Sequence, residues 1–187
     1  TTLTKNKQGY APFNHASQTL ARPWALPGTP GLEHRVGGLE KSDVTGNVSY
    51  EPENHHKMVE LRKQKVEIIA ETIPKVTIYG KPQGDLLVIG WGGTHGAIRS
   101  AVESAQELGQ NVSHLHLRYL NPLPLNLGSI LLKYQKVLIP ELNLGQLSMI
   151  IRSKFLIDVV GLNKVQGKPF NKNDILDKIN KILREVS

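Results

Sequence analysis

The 187 residues are 39% apolar, and 17 glycines raise that share to roughly 48%, ordinary for a globular protein, which excludes a disordered or collagen-like chain. No run approaches the roughly 18 apolar residues that span a bilayer, and there is no Cys, so a disulfide framework, a Cys-ligated zinc and an iron–sulfur cluster lack their thiolates. Lys and Arg number 23 against 16 Asp and Glu, a net charge of +7 that is spread unevenly: +1 over residues 1–74 and +6 over 75–187. A moderately basic domain attracts anions, but without a packed Lys/Arg cluster the plain reading is an ordinary solvated surface. The chain begins at Thr1 with neither an initiator Met nor a basic-then-apolar leader, and is read as a piece of a longer, cytoplasmic protein.

Residues 1–52 hold eleven Gly or Pro and only nine of Val, Ile, Leu, Met and Phe, too few for a core. Turn signals recur at Arg22-Pro23-Trp24, Leu26-Pro27-Gly28-Thr29-Pro30-Gly31 and Gly37-Gly38. Such an arm (1–50) is either disordered or packed along a neighbour's surface, and Phe13 and Trp24 favour packing. A connecting helix follows over 51–72, within a segment 51–74. Pro52 suits its first position, Glu51 and Glu53 suit its dipole, and Pro74 closes it. Its stripe of Val59, Val66, Ile69, Ala70 and Ile73 needs a partner.

From 75 to 187 the apolar content rises to 42 of 113 residues, counted over the same five types. Short strands are predicted at 76–79, 86–89, 112–117, 136–140 and 157–162. Helices are predicted after Thr94 (apolar face Ile98, Ala101, Val102, Ala105, Leu108), over 125–134, over 144–155, and from about Asn173. The last of these buries Ile175, Leu176, Ile179, Ile182, Leu183 and Val186. Continuous apolar strands separated by amphipathic helices define an α/β domain with a mainly parallel sheet covered on both faces.

Ligands and partners of such a sheet meet the loops at the carboxyl ends of its strands. Four can be read: 90–96, 118–122, 141–146 and 163–168. The first is Gly-rich and opens a helix, so its amides are a candidate anion nest. As a dinucleotide fingerprint it fails, since His95 stands at the third glycine position and Arg118 where an acidic residue belongs. His114 and His116 share one face of a strand without a carboxylate at supporting spacing, which favours satisfied, half-buried strand histidines over a metal site. There is no Gly-x-Ser-x-Gly elbow, no Walker loop, and no interleaving of basic and aromatic residues for nucleic acid.

Six strings occur in order: GGLEK (37–41), YEPENHHKMVELRKQKV (50–66), LLVIGWGGTHGAIRSAV (86–102), HLHLRYLNPLP (114–124), VLIPELNLGQL (137–147) and VVGLNKVQGKPF (159–170). Together they closely resemble the carboxyl-terminal part of the alpha subunit of 2-oxoacid:ferredoxin oxidoreductases, particularly the 2-oxoglutarate type. The resemblance runs from about Trp24 to the end. It implies that 75–187 form a domain like the carboxyl-terminal domain of transketolase: a three-layer α/β/α fold with a five-stranded sheet in order 1-3-2-4-5, strand 1 antiparallel. The topological switch point then lies between the loops 90–96 and 141–146.

The resemblance also implies a coenzyme A-dependent oxidative decarboxylation in the whole enzyme, with thiamine diphosphate, magnesium and iron–sulfur clusters held outside this chain, a beta subunit as partner and ferredoxin as indirect partner. This piece is then catalytically silent, a structural domain at subunit and dimer contacts. Asn121, Glu141, Asn143 and Gln146, with Thr94, His95 and Arg118, are its candidate contact residues. A second reading makes Gly92, Gly93, Thr94, His95, Arg118, Lys164 and Lys168 a loop set for coenzyme A phosphates. A third is an independent anion-binding regulatory module.

Overall fold

The computed structural model describes residues 3–186; the side chain of Val186, predicted to be buried, lies outside the described set. The chain divides into two compact units, Thr1–Thr72 and Ile73–Ser187.

In the first unit, β1 (Leu3–Thr4) pairs in parallel with β2 (Trp24–Ala25), and the main helix is α1 (Pro52–Ile68), continued by a 3-10 turn at Ile69–Glu71. Two of the quoted strings meet here. Asn54 of α1 donates to the Lys41 carbonyl (2.9 Å) and accepts from the Asp43 amide (3.0 Å), tying the turn to the helix. Glu40 accepts from both guanidinium nitrogens of Arg62 (3.2 and 3.3 Å) and from His55 Nδ1 (2.7 Å). The Arg62 hydrogen bonds, chiefly, hold the Glu40 carboxyl down at about 2. Lys41 is buried and spends its ammonium on the carbonyls of Gly37 and Leu39. The predicted stripe on α1 is largely open: Val59, Val66 and Ile69 are exposed, while Met58 is buried.

The second unit holds a five-stranded sheet: β3 (Ile78–Tyr79), β4 (Gly84–Trp91), β5 (Val112–Leu117), β6 (Tyr134–Glu141) and β7 (Val160–Asn163). Their order is β3-β5-β4-β6-β7, with β3 antiparallel to β5 and all other pairs parallel. This is the 1-3-2-4-5 arrangement expected of a transketolase carboxyl-terminal-like domain. Four helices cover it: α2 (His95–Glu107), α3 (Leu127–Leu131), α4 (Gln146–Phe155) and α5 (Lys172–Val186).

Strand side chains alternate between two cores. Leu86, Val88, Val112 and Leu138 pack with α2 and α5. Leu87, Ile89, Leu115, Leu117, Val137 and Ile139 pack with α3 and α4. Each fully buried Leu or Ile contributes about 1.5–3 kcal/mol, so this double-sided burial is what holds the sheet.

The strand predicted at 76–79 keeps only Ile78–Tyr79, because the Val76 backbone is bonded to Asn126, and three further predicted elements differ. The helix over 125–134 shrinks to Leu127–Leu131, because Asn126 is drawn off to grip the backbone of Val76 (3.0 and 2.9 Å) and Tyr134 already begins β6. Leu108 does not join the buried face of α2; it is the C-cap, 70% exposed. The last strand starts at Val160 rather than 157, since Leu156 takes a left-handed turn (φ 54°) to end α4.

Gly90 decides how closely α2 lies on the sheet. A Cβ there would sit 2.5 Å from Ile98 Cδ1, 3.0 Å from Thr94 Oγ1 and 3.1 Å from His116 Nδ1. Ile98 is fully buried and has nowhere to move. Gly90→Ala is therefore expected to cost about 2 kcal/mol of stability by overpacking. Urea denaturation checks this, and an unchanged midpoint contradicts it.

Candidate functional site

The carboxyl edge of the sheet gathers the four predicted loops. After β4, Gly92–Thr94 form a 3-10 turn that leads into α2. Thr94 is buried and closes the turn: its Oγ1 accepts from the Trp91 amide (3.1 Å) and donates to the Trp91 carbonyl (2.8 Å). Gly92 has a left-handed φ of 56°, and both Gly92 and Gly93 face open space. Because β4 and β6 are neighbours, the loops 90–96 and 141–146 lie side by side at the point where the chain switches direction across the sheet.

Glu141 ends β6 fully buried. Its Oε1 accepts from the Leu147 amide (2.9 Å) and from Asn143 Nδ2 (3.2 Å). Its Oε2 accepts from the Ser148 amide (3.0 Å) and hydroxyl (2.9 Å). The carboxylate thus satisfies the free amides and the positive end of the dipole of α4. Asn143 Oδ1 accepts from the amides of Gly145 (2.7 Å) and Gln146 (3.2 Å). Glu141 and Asn143 therefore shape the loop from inside, while Gln146 and Asn121 stand exposed. Around them, Leu142, Leu144, Met149 and Ile150 leave apolar surface open on the loop and the first turns of α4.

The basic candidates do not form one group. The ends of β5, β4, β6 and β7 follow in that order, so Arg118 and Lys164 are three strand spacings apart, about 14 Å. Lys164 is committed to Asp174 (2.7 Å) and the Pro169 carbonyl (3.1 Å), and Lys168 is exposed.

A different group does converge. His114 and His116 lie on the α2 face of β5, as their spacing predicts, and His95 from α2 comes over both. Ring centroids are 5.3 Å apart for His95–His114, 4.8 Å for His95–His116 and 5.9 Å for His114–His116. They line a cavity of about 510 Å³ with Tyr79, Arg99 and Arg118. Lys75 adds a third fixed cation, and no Asp or Glu is among the lining residues. The Arg99 guanidinium stacks on Tyr79, 3.4 Å from the ring centroid.

The expected satisfied, half-buried histidines are only partly found. His116 is half-buried, but His114 is 1% exposed. Neither ring nitrogen of His114 has a hydrogen-bond partner, nor has His116 Nδ1 or Arg99 Nε. The reason is local: the closest side chains are the aliphatic Val88 and Val112, the Arg99 guanidinium stacked on Tyr79, and imidazole rings whose centroids stand 5.3 and 5.9 Å away, and none of them comes within hydrogen-bond reach of the ring. Burial, aided by Arg99 and the other two histidines, drives the His114 pKa down to about 3, and burial lowers that of His116. Both rings are neutral at pH 7. Among the described residues no group of three or more His, Cys, Asp or Glu has the geometry to hold a metal ion.

Arg99 and Tyr79 were not among the sequence candidates. Arg99 was within reach, four residues after His95 and hence on the same helix face. Tyr79 was not, because its place beside His114 depends on the antiparallel pairing of β3.

No protein-family model matches the chain. It is 46% identical, over 98% of its length, to the 2-oxoglutarate oxidoreductase subunit KorA of Mycobacterium tuberculosis, and 31% identical over 78% of its length to a 2-oxoacid:ferredoxin oxidoreductase alpha subunit of Aeropyrum pernix. It spans 27% and 24% of those proteins. A solved 2-oxoglutarate:ferredoxin oxidoreductase from Magnetococcus marinus, with 2-oxoglutarate, coenzyme A and succinyl-CoA bound, superposes on 97% of this chain with a TM-score of 0.88 at 27% identity, the match covering 32% of that chain. No helix among the described residues is long and apolar enough to cross a membrane.

Proposed function

Because this chain belongs, as one segment, to the alpha-subunit family of the 2-oxoacid:ferredoxin oxidoreductases, we propose that it works inside such an enzyme as a structural, subunit-interface domain in the cytoplasm. The whole enzyme decarboxylates 2-oxoglutarate oxidatively, joins the acyl group to coenzyme A and delivers the electrons to ferredoxin. Thiamine diphosphate supplies the carbanion chemistry, with its magnesium and the iron–sulfur clusters carried by other parts of the assembly. This chain has no cysteine with which to hold a cluster and is silent by itself.

The observation that carries the interface role is the open apolar surface of Leu142, Leu144, Met149 and Ile150 beside the internally braced loop 141–146. Apolar groups left uncovered next to a rigid loop suit a permanent contact with a beta subunit or a second copy. The tagged chain co-expressed with a thiamine-binding beta subunit is expected to co-purify with it. The double change Met149→Asp, Ile150→Asp is expected to abolish that while leaving the circular dichroism spectrum unchanged. Failure of the wild-type chain to bind any beta subunit, or 2-oxoacid turnover by the chain alone, contradicts the reading.

A share in holding coenzyme A is the second reading. Its support is the coenzyme bound in the Magnetococcus enzyme and the open space at Gly92 and Gly93 beside exposed His95 and Arg118. Lys164, held by Asp174, drops out of that set.

A further inference from the structure

We propose that the cavity between α2 and the β3–β5 edge is a binding site for a phosphoryl group, built on His95, His114 and His116 with Arg99 and Arg118. The site shares His95 and Arg118 with the coenzyme A reading and adds His114, His116 and Arg99 to them, but its test uses phosphate alone and does not require assembly with a beta subunit.

His114 is the starting point. A buried polar ring without a partner costs about 1–3 kcal/mol, and this ring has two unpartnered nitrogens at 1% exposure. Aliphatic residues of similar size fill the neighbouring positions of the same face, Val112 on β5 and Val88 on β4. Burial for packing therefore does not explain an imidazole there. His116 Nδ1, which lies toward Gly90, and Arg99 Nε are also buried without partners, on residues that line the same cavity. Arg99 Nε and the N–H of the neutral His114 ring are donors left without an acceptor.

The charge narrows the ligand. Lys75, Arg99 and Arg118 are cations and no carboxylate lines the space, so a divalent cation is repelled and an anion is drawn in. The number of donors narrows it further. Three imidazoles and two guanidinium groups outnumber the two oxygens of a carboxylate, whereas a phosphoryl group presents three or four acceptor oxygens and up to two negative charges. The stack on Tyr79 orients Arg99 before any ligand arrives, which limits the ordering cost on binding. A cavity of about 510 Å³ lies within the range of small-molecule sites and admits a phosphoryl group with a small moiety attached.

The test uses the full 187-residue chain and inorganic phosphate, followed by imidazole NMR at constant ionic strength. Saturable shifts of the His95, His114 and His116 rings are expected. Arg118→Gln, an exposed change that leaves the fold intact, is expected to weaken binding about tenfold, the loss of one charge-assisted contact. Lys154→Gln removes an equal charge from the far end of α4 and is expected to change nothing. His114→Leu is expected to abolish binding; should that variant not fold, the Arg118→Gln and Lys154→Gln pair decides. Methyl phosphate in place of phosphate identifies the source: equal binding means that phosphate monoesters are accepted, and rejection means free phosphate. The proposal is overturned if no saturable shift appears, or if acetate or chloride produces the same shifts at matched ionic strength. It is also overturned if Lys154→Gln weakens binding as much as Arg118→Gln, or if zinc binds the rings more tightly than phosphate.

Discussion

Replacing Glu141 with Ala is expected to destabilise the second unit by about 3 kcal/mol, since a buried charged acceptor and its four hydrogen bonds disappear together. Two amides in the first turn of α4 and the Ser148 hydroxyl are then left buried without partners. Glu141→Gln is expected to cost about 2 kcal/mol, because its NH2 group meets donors where the carboxylate met them as an acceptor. Urea denaturation followed by Trp91 fluorescence in a Trp24→Phe background reads the second unit alone, since these are the only two tryptophans. A loss below about 1 kcal/mol in Glu141→Ala contradicts the assignment. The same cap fixes the start of α4, so both variants are also expected to disturb the Met149 and Ile150 surface offered to a partner.

The second large effect is one of pH. His114 faces His95 and Arg99 from α2, Tyr79 from β3 and His116 on its own strand, with Arg118 and Lys75 at the rim. Its pKa falls from 6.5 to about 3 on folding, so the unfolded chain takes up the proton first. The stability associated with the neutral ring is fully present above pH 6.5 and drains away as the pH falls toward about 3. Between pH 6.5 and about pH 4.5 the loss is about 2–3 kcal/mol, and the lowered His116 adds to it in the same direction. Asp174, whose pKa is lowered mainly by Lys164, acts with the same sign but below that window. His114→Leu is expected to flatten the profile and to be the more stable protein at pH 5. A wild-type profile that is flat across the window contradicts the neutral buried ring.

Most of the fold is legible in the sequence because its strands are continuous apolar runs. Val112–Leu117 begins and ends where predicted, and 86–89 and 136–140 extend by only a few residues on either side. The elements that moved are those whose limits depend on distant partners: Asn126 is recruited by Val76, fifty positions away, and Leu108 lies just past the stripe it was counted with.

The site divides the same way. The shared face of His114 and His116 follows from strand alternation alone. The convergence of His95 and Arg99 on that face depends on which side of the sheet α2 covers, and Tyr79 arrives only through a two-residue antiparallel pairing. Glu141 looked like a loop residue exposed to a partner. Nothing in its local spacing separates an outward carboxylate from one folded back under the next helix.

The outermost strands of the sheet are short. β3 offers two residues and β7 four, the latter interrupted by Gly161. A neighbouring molecule trying to extend the sheet laterally finds few free amides and carbonyls on either flank, and those on β3 border a rim of cationic side chains. Ribbon-like aggregation by edge-to-edge pairing is thus disfavoured even at high concentration, and contacts between copies are directed to the helix-covered faces instead.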